Sequence, residues 1–460
     1  MLGAVWRHRP PGSALAILAV AAVFVWPSLP HKSDNYTPGQ LPDFAAQPVW
    51  GDAIDLAELA GGDFAAVEFR GFLGEQTGLV VATSDVAVQL ADEPGSPQAD
   101  PPARLVAFDL DSGEPSWLID VDKSLGEEFS DAYIPEVLLD PDGLIAVYAV
   151  KIDDGGFRYP AATIGASGEV LSKTSDIGGE MVGLGTGVVL VWSSTLGEEH
   201  QAAYDATDLG RPLWRAHAYS DSLSTRTHNS WTGTYWTAPN DQVVDVDTGQ
   251  PTELRVGPFN PGVTFSLVHG PGDLVLRRVG EDGPVMLVDP ATGAPLWESA
   301  AASAQGDLAL ETRGRTLLVG PTVRERSGLL WARDLATGTA LWTGAGRIGA
   351  VRGDAALILR GQHMTTRKLR SGRELARMTL PPSFSFVGAG SATVYLQPWD
   401  GDRRELTAYA LDGLEELWSI DTSPALAGAD SVWYRWTESR LFAVYTFGER
   451  ETIRELMPGD

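Results

Sequence analysis

From Leu105 to Trp117 the chain reads LVAFDLDSGEPSW. An alternating apolar run enters an Asp-x-x-x-Gly turn, and a Trp follows four residues after the Gly. The same text returns at 285–297 (VMLVDPATGAPLW) and 330–342 (LWARDLATGTALW), and more loosely at 203–214 (AYDATDLGRPLW). At 406–418 (LTAYALDGLEELW) the Gly stands five residues before the Trp, so this copy reads as one residue longer. Degenerate copies without the Trp lie at 162–172, 243–253 and 364–376. The chain is a repeat array, and its fold follows from what one copy does.

The turn glycines of the array are Gly113, Gly168, Gly210, Gly249, Gly293, Gly338, Gly372 and Gly413, spaced 55, 42, 39, 44, 45, 34 and 41 residues apart. A period of roughly 40–45 residues is the length of a four-stranded propeller blade. A blade cannot bury both faces alone, so neighbours must stack and the ring must close. The residue types in the repeat suit that task. Gly adopts positive φ at no steric cost and closes the hairpin. Asp109, Asp289 and Asp334 hydrogen-bond the turn backbone. Trp117, Trp214, Trp297, Trp342 and Trp418 fall on the strand leaving the turn. There a large ring covers the gap to the next blade while its N–H finds a backbone acceptor.

Between the turns the pattern is β throughout, with strands expected at 65–72, 78–83, 145–150, 187–192, 274–278, 316–319, 355–359, 393–396 and 441–447. No helix-period segment of useful length occurs after residue 49, and 55–60 makes one turn at most. Gly 51 and Pro 30 match a turn-rich, all-β chain. Residues 91–104 (ADEPGSPQADPPAR) break the rhythm and read as a long loop inserted in the first blade.

At 460 residues the chain could hold two or three ordinary domains, but one closed array can use the whole length. The N-terminus carries Arg7, His8 and Arg9, and 13–29 (SALAILAVAAVFVWPSL) is uncharged. This run is short for a membrane span, where about 20 residues are typical. A cleaved signal peptide competes with an uncleaved anchor. No clean small-x-small site follows, and Trp26 stands where an interfacial aromatic belongs, which favours the anchor. The expected organisation is a cytoplasmic 1–12, a transmembrane anchor at 13–29, a polar linker at 30–48 and an extracytoplasmic propeller at 49–460. Asn35-Tyr36-Thr37 matches a glycosylation acceptor by pattern alone.

Cys 0 excludes disulfides, thiol catalysis and Cys-ligated metal. A net charge of -27 argues against nucleic acid, which needs a basic footprint. None of the 7 His (8, 31, 200, 217, 228, 269, 363) forms a zinc-type pair, so no metal site is expected. His217 and His228 flank a polar stretch with Trp231, Tyr235 and Trp236, which reads as a surface. Asp109-Leu110-Asp111 and Asp245-Val246-Asp247 lack the remaining ligands of a calcium loop and read as turn aspartates. Glycines at 183–187 resemble a nucleotide loop only in number, since no helix follows them. No nucleophile elbow or phosphate-binding loop occurs.

The repeat resembles the tryptophan-docking motif of the pyrroloquinoline-quinone (PQQ)-like β-propeller superfamily, roughly Ala-x-Asp-x-x-Thr-Gly-x-x-x-Trp. Ala107, Asp109, Gly113 and Trp117 match it, as do Asp289, Thr292, Gly293 and Trp297, and Asp334, Thr337, Gly338 and Trp342. The resemblance covers about residues 60–420. It implies eight blades, with seven or nine allowed by the extra strands at 53–90 and 422–460. The superfamily holds quinoprotein dehydrogenases as well as non-enzymatic scaffolds. Its enzymes carry a vicinal Cys pair, which this chain lacks, and a calcium site that cannot be placed here. The reading is therefore a membrane-anchored scaffold of the non-enzymatic branch that binds a protein or envelope ligand. A PQQ–calcium dehydrogenase and a small-ligand sensor using the central channel are the alternatives. Recognition is expected in the non-repeating parts: 91–104, 217–236 and the channel-facing strands.

Overall fold

Val, Leu, Tyr and Phe at alternate positions, punctuated by Gly, Asp and Pro, fold into antiparallel strands of about six residues. The computed structural model describes residues 41–459 except 45, 63, 84–102, 130–132, 141–142, 154–155, 186, 196–197, 220–230, 233–234, 238–241, 246–250, 256–264, 268–274, 279–284, 289–294, 300–307, 314, 322–327, 401–402 and 423–428. The expected anchor at 13–29, the N-terminus at 1–12 and most of the 91–104 loop lie outside the described residues. No helix among the described residues is long and apolar enough to cross a membrane.

Strands come in consecutive sets of four. The first unit is Ala66–Phe72, Thr77–Thr83, Ala103–Asp109 and Pro115–Asp120. The second is Tyr133–Leu139, Ile145–Asp153, Ala161–Ile164 and Val170–Thr174, with Gly156–Arg158 pairing the overhang of its second strand. The third is Glu180–Gly185, Val188–Thr195, Glu198–Asp205 and Asp208–Tyr219. The fourth is Trp231–Thr232, Tyr235–Thr237, Gln242–Asp245 and Pro251–Arg255. The fifth is Phe265–Leu267, Val275–Arg278, Val285–Val288 and Pro295–Ser299. Leu308–Arg313, Thr316–Pro321 and Gly328–Asp334 form the sixth with the first half of Ala340–Arg352. The second half of that strand opens the seventh, followed by Ala355–Arg360, His363–Lys368 and Glu374–Thr379. The eighth is Phe384–Ala389, Thr393–Asp400, Arg403–Ala410 and Glu416–Asp421. Last come Ser431–Trp436, Leu441–Phe447 and Arg450–Met457, whose fourth strand is the N-terminal Val49–Asp55.

Where their cores are described, neighbouring units pack face to face. One cluster joins the first to the second through Leu79, Leu105, Val137 and Val147. Others join second to third, sixth to seventh, seventh to eighth and eighth to last. A further cluster joins the last unit back to the first through Phe442, Val444, Ile453, Val67 and Phe108. Serial stacking of four-stranded meanders with the last on the first is the architecture of a β-propeller. The helix Leu56–Ala60 fills this seam; Asp55 caps it by accepting from the Ala57 amide at 2.9 Å, and Leu56 and Ala60 are buried.

The meander puts the first-to-second and third-to-fourth turns of the first, third, sixth, seventh and eighth units on one face. A repeated backbone bond ties them together: the residue after each turn Asp, or its equivalent, donates to the turn between the first two strands. The pairs are Leu110 to Gln76, Ala206 to Gly187, Leu335 to Arg315, Leu369 to Asp354 and Leu411 to Ala392, at 2.7 to 2.9 Å. We call this the turn face. Connections between units, and those between second and third strands, lie on the other.

Part of the expected linker belongs to the fold. Leu41 and Phe44, inside the expected 30–48 linker, are buried. The apolar positions Leu41 and Phe44 are short of a repeat context, so a polar, Pro-bearing composition outvoted them in the sequence.

Candidate functional site

Asp109, Asp334 and three of the repeat's Trp are held in structural contacts. Asp109 Oδ1 accepts from the amides of Asp111 (3.0 Å) and Ser112 (2.8 Å) and from the Ser112 hydroxyl (2.9 Å). The Ser112 bonds hold the Asp109 carboxyl below its ordinary range. Asp334 does the same with Ala336 and Thr337, each at 3.2 Å. Burial pushes Asp334 up, but Arg315 and the Thr337 bonds outweigh it and its pKa is lowered. Gly113 (φ +71) and Gly338 (φ +66) take the left-handed conformation the turn requires.

Three docking Trp span to the following unit. Trp117 Nε1 donates to Ala166 O at 2.9 Å, Trp297 to Leu335 O at 2.7 Å and Trp342 to Leu369 O at 2.7 Å. Each ring lies flat on the next turn glycine. A Cβ on Gly168 would meet the Trp117 ring at 2.9 Å, and on Gly338 or Gly372 it would meet Trp297 or Trp342 at 2.6 Å. A turn glycine thus serves twice, for its φ and for the ring resting on it.

Two expected turn glycines are corrected. Gly210 lies inside the strand Asp208–Tyr219, after a tighter turn in which Asp205 accepts from Thr207 N at 2.8 Å. At 406–418 the Gly position is filled by Leu414 (φ 56), whose amide donates to Ala410 O at 2.8 Å. Gly413 is its neighbour, and the copy has the normal length, with Ala410 in the Asp position. Trp214 lies on the outer strand of the third unit. Gly249, Asp289 and Gly293 lie outside the described residues, as do His228 and His269.

Trp418 docks differently. The last unit has no third-to-fourth-strand turn, because its fourth strand comes from the N-terminus. Trp418 Nε1 instead donates to Phe44 O at 3.0 Å. Leu41 N donates to Ala389 O (3.2 Å), and Asp43 accepts from the amides of Ser391 (3.0 Å) and Ala392 (3.1 Å). Phe44 N reaches the Tyr395 hydroxyl at 3.3 Å, which itself donates to Pro42 O at 2.5 Å. Residues 41–44 form a strap that stands in for the missing turn. Sequence reasoning missed it because it does not repeat.

Two further clusters lie at the seam between the last and first units. On the turn face, a shallow cleft of about 720 Å³ is lined by Glu75, Asp111, Arg440 and Glu455. Glu75 accepts from the Thr437 hydroxyl (2.6 Å), Glu438 N (2.8 Å) and the Ser439 hydroxyl (2.7 Å). Burial pushes Glu75 up, but these bonds prevail and its pKa is lowered. Arg440 bonds Glu455 at 2.9 Å and pairs with Asp111 at 2.9 Å. Its polar groups bind one another, which makes the cleft a clamp across the seam. Deeper, Glu451 accepts from Phe69 N at 2.6 Å. The first strands of these two units add Glu68 paired to Arg70 (2.9 Å) and Arg435 over Trp433 (4.3 Å). Among the described residues no three carboxylates or imidazoles gather as a metal site.

No family model matches the chain, and no curated protein does. Solved structures do. BamB from Moraxella catarrhalis is 12% identical, with 89% of this chain and 100% of that one covered and a TM-score of 0.45. Quinohemoprotein alcohol dehydrogenase from Comamonas testosteroni is 12% identical over 91% of this chain and 80% of that one, with a TM-score of 0.37. The C-terminal WD40 domain of Sif2 is 12% identical over 71% and 97%, with a TM-score of 0.40. At these values the sheet topology, not the likeness, carries the fold.

Proposed function

We propose that the chain is a membrane-tethered, extracytoplasmic PQQ-like propeller of the non-enzymatic branch. It acts as a scaffold that binds a protein or envelope ligand. The observation behind this reading is the use of the chemical side chains. The described turn aspartates and the seam carboxylates are committed to turns, caps and clamps, and Trp117, Trp297, Trp342 and Trp418 are committed to docking. The strand grouping favours nine blades over eight: eight with a turn of their own and a last one completed by Val49–Asp55. A ring closed by its own N-terminal strand is a rigid platform. The apolar run at 13–29 supplies the tether.

The test uses the full chain in membranes. Alkaline carbonate extraction should leave it in the membrane pellet. Photo-crosslinkers at Phe157, half exposed on the face opposite the turns, and at Gln362 on that same face should give one discrete adduct. Saturable binding of PQQ with calcium at micromolar concentration, seen by absorbance, would instead make it an enzyme. Recovery in the carbonate supernatant would remove the tether.

A further inference from the structure

The charge of this protein is unevenly spread. The chain carries -27 overall, yet from Arg347 to Arg377 it holds eight Lys or Arg (347, 352, 360, 367, 368, 370, 373, 377) against Asp354 and Glu374. Folding gathers part of this surplus at one rim. Lys368, Arg370 and Arg373 surround the Gly372 turn of the seventh unit, on the turn face. Arg315 joins them from the sixth unit, because Leu335 N ties its turn alongside. These side chains reach into solvent: Arg315 is 68%, Arg370 56% and Lys368 45% exposed. The acids of the sixth and seventh units do not cancel them, and exposed Asp412 and Glu415 bound the patch at the adjoining eighth-unit turn. Asp334 is shared by Arg315 (3.6 Å) and Arg370 (3.3 Å), and Lys368 takes Asp354 at 3.2 Å. Glu374 is shared by Arg367 (3.6 Å) and Arg377 (2.8 Å). Five cations thus meet three carboxylates, and Arg373 adds its charge at the turn itself. Across the ring the same face is acidic, with Glu75, Asp111, Glu114 and Glu438 exposed on the first and last units.

The described chain begins on the same face as this rim. The strap at 41–44 lies on the turn face of the eighth unit, packed between it and the last. Ala389 O accepts from Leu41 N and from the Arg352 guanidinium of the seventh unit (3.2 Å). The described chain thus begins, at Leu41, on the same face of the ring as Lys368, Arg370 and Arg373.

The geometry points to this rim as a contact for the phosphate-bearing head groups of anionic lipids in the membrane that holds the tether. It rests on the tether reading above. A cluster of cations held near a membrane is attracted to anionic lipid over about one Debye length, and salt screens it. The acidic opposite edge is repelled, so the ring leans on its sixth and seventh units. The face opposite the turns then points away from the membrane and is left open to a partner.

The chain has no Cys, so single labels are clean. Full-length protein with Ser371→Cys, on the basic turn, or Gln362→Cys, on the opposite face of the same unit, is labelled with a fluorophore. It is reconstituted into vesicles bearing a head-group nitroxide quencher. In phosphatidylcholine with about one third phosphatidylglycerol, quenching at position 371 should exceed that at 362 several-fold. The excess should vanish in pure phosphatidylcholine, in about 0.5 M salt, and in K368Q/R370Q/R373Q. A milder single variant, Arg373→Gln, should lose part of it and guards against a folding defect in the triple. Equal quenching at both positions in the mixed vesicles, or an excess indifferent to the Gln variants, would overturn the proposal. Failure to float with pure phosphatidylcholine vesicles would remove the tether alone. Quenching of the same labelled chain in the mixed vesicles still decides the rim.

Discussion

At the scale of single residues, the two most unusual environments are Glu451 and Leu414. Glu451 is 8% exposed at the seam between the last and first units. Burial is the main influence on it and raises its pKa from 4.5 to about 7; the Phe69 amide, Arg70 and Arg435 pull the other way, and Glu68 pushes it further up. The folded state therefore holds a proton that the unfolded chain releases near pH 4.5. Below that pH both states are protonated and nothing is lost. As pH rises towards 7 the native state is penalised, by about 3 kcal/mol once both are ionised. Glu451→Gln keeps an acceptor for Phe69 N without the charge. It should match the parent at pH 4.5 and exceed it by about 2–3 kcal/mol at pH 8 in urea denaturation; equal stabilities at pH 8 would show that the buried acid carries no such penalty. Leu414 poses the reverse question. Its left-handed conformation costs about 1–2 kcal/mol, yet its side chain is 6% exposed in the cluster joining the seventh and eighth units. Burial of a Leu is worth about 2–3 kcal/mol, so packing wins. Leu414→Gly should lower stability by about 1 kcal/mol; a gain would mean that strain dominates.

At the scale of the element, the hairpin and its Trp form one device. Trp342 and Gly372 belong to neighbouring units but to a single contact, so their substitutions must couple. Trp342→Ala removes a half-buried ring and its bond to Leu369 O, a loss of about 3 kcal/mol. Gly372→Ala forces a Cβ against that ring and onto a left-handed backbone, at about 2 kcal/mol. With the ring gone the second change costs only its backbone strain, so the double variant should fall about 1 kcal/mol short of additivity in a thermal or chemical melt; strict additivity would deny the contact. This device was legible before any coordinates because it recurs. Spacing alone marks Asp109, Asp334, Gly113, Gly338, Trp117, Trp297 and Trp342 as hairpin and dock, and the strands it places at 78–83, 355–359 and 441–447 fall within observed ones. The reading failed where a copy departs from its text. Gly210 and Gly413 are both glycines near a turn, but backbone hydrogen bonding decides which residue takes positive φ, and at 414 a Leu takes it because a buried pocket receives its side chain. The basic rim was missed for another reason. Net charge averages over the chain, and the surplus at 347–377 becomes a patch only when the Gly372 turn meets Arg315 from another unit.

At the scale of the whole molecule, closure is the central requirement, and the chain meets it twice with its N-terminus. Val49–Asp55 completes the last sheet against Arg450–Met457, and a parallel bridge from Val67 to Arg450 carries that sheet into the first. Just upstream, the strap at 41–44 replaces the one turn that such a closure removes. Its fit is specific. A Cβ on Gly388 would meet Leu41 Cδ1 at 2.4 Å, and one on Gly390 would meet Leu41 O at 2.7 Å, so the eighth unit has glycines where the strap crosses it. Leu41 and Phe44 are 1% and 6% exposed, and burying two such side chains is worth about 4–5 kcal/mol before the ordering of the segment is counted. A chain begun at residue 39 should therefore melt like the parent ring, whereas one begun at 49 keeps the closing strand but loses the strap, by about 3 kcal/mol net. Trp418→Phe separates the dock from general truncation damage. It retains the ring against Phe44 and Tyr395 but removes the N–H that reaches Phe44 O, a loss of about 1 kcal/mol in the longer chain. In the chain begun at 49 that acceptor is already absent, so the same substitution should cost nothing measurable. An equal loss in both backgrounds would place the partner of Trp418 elsewhere and detach the strap from the closure of the ring.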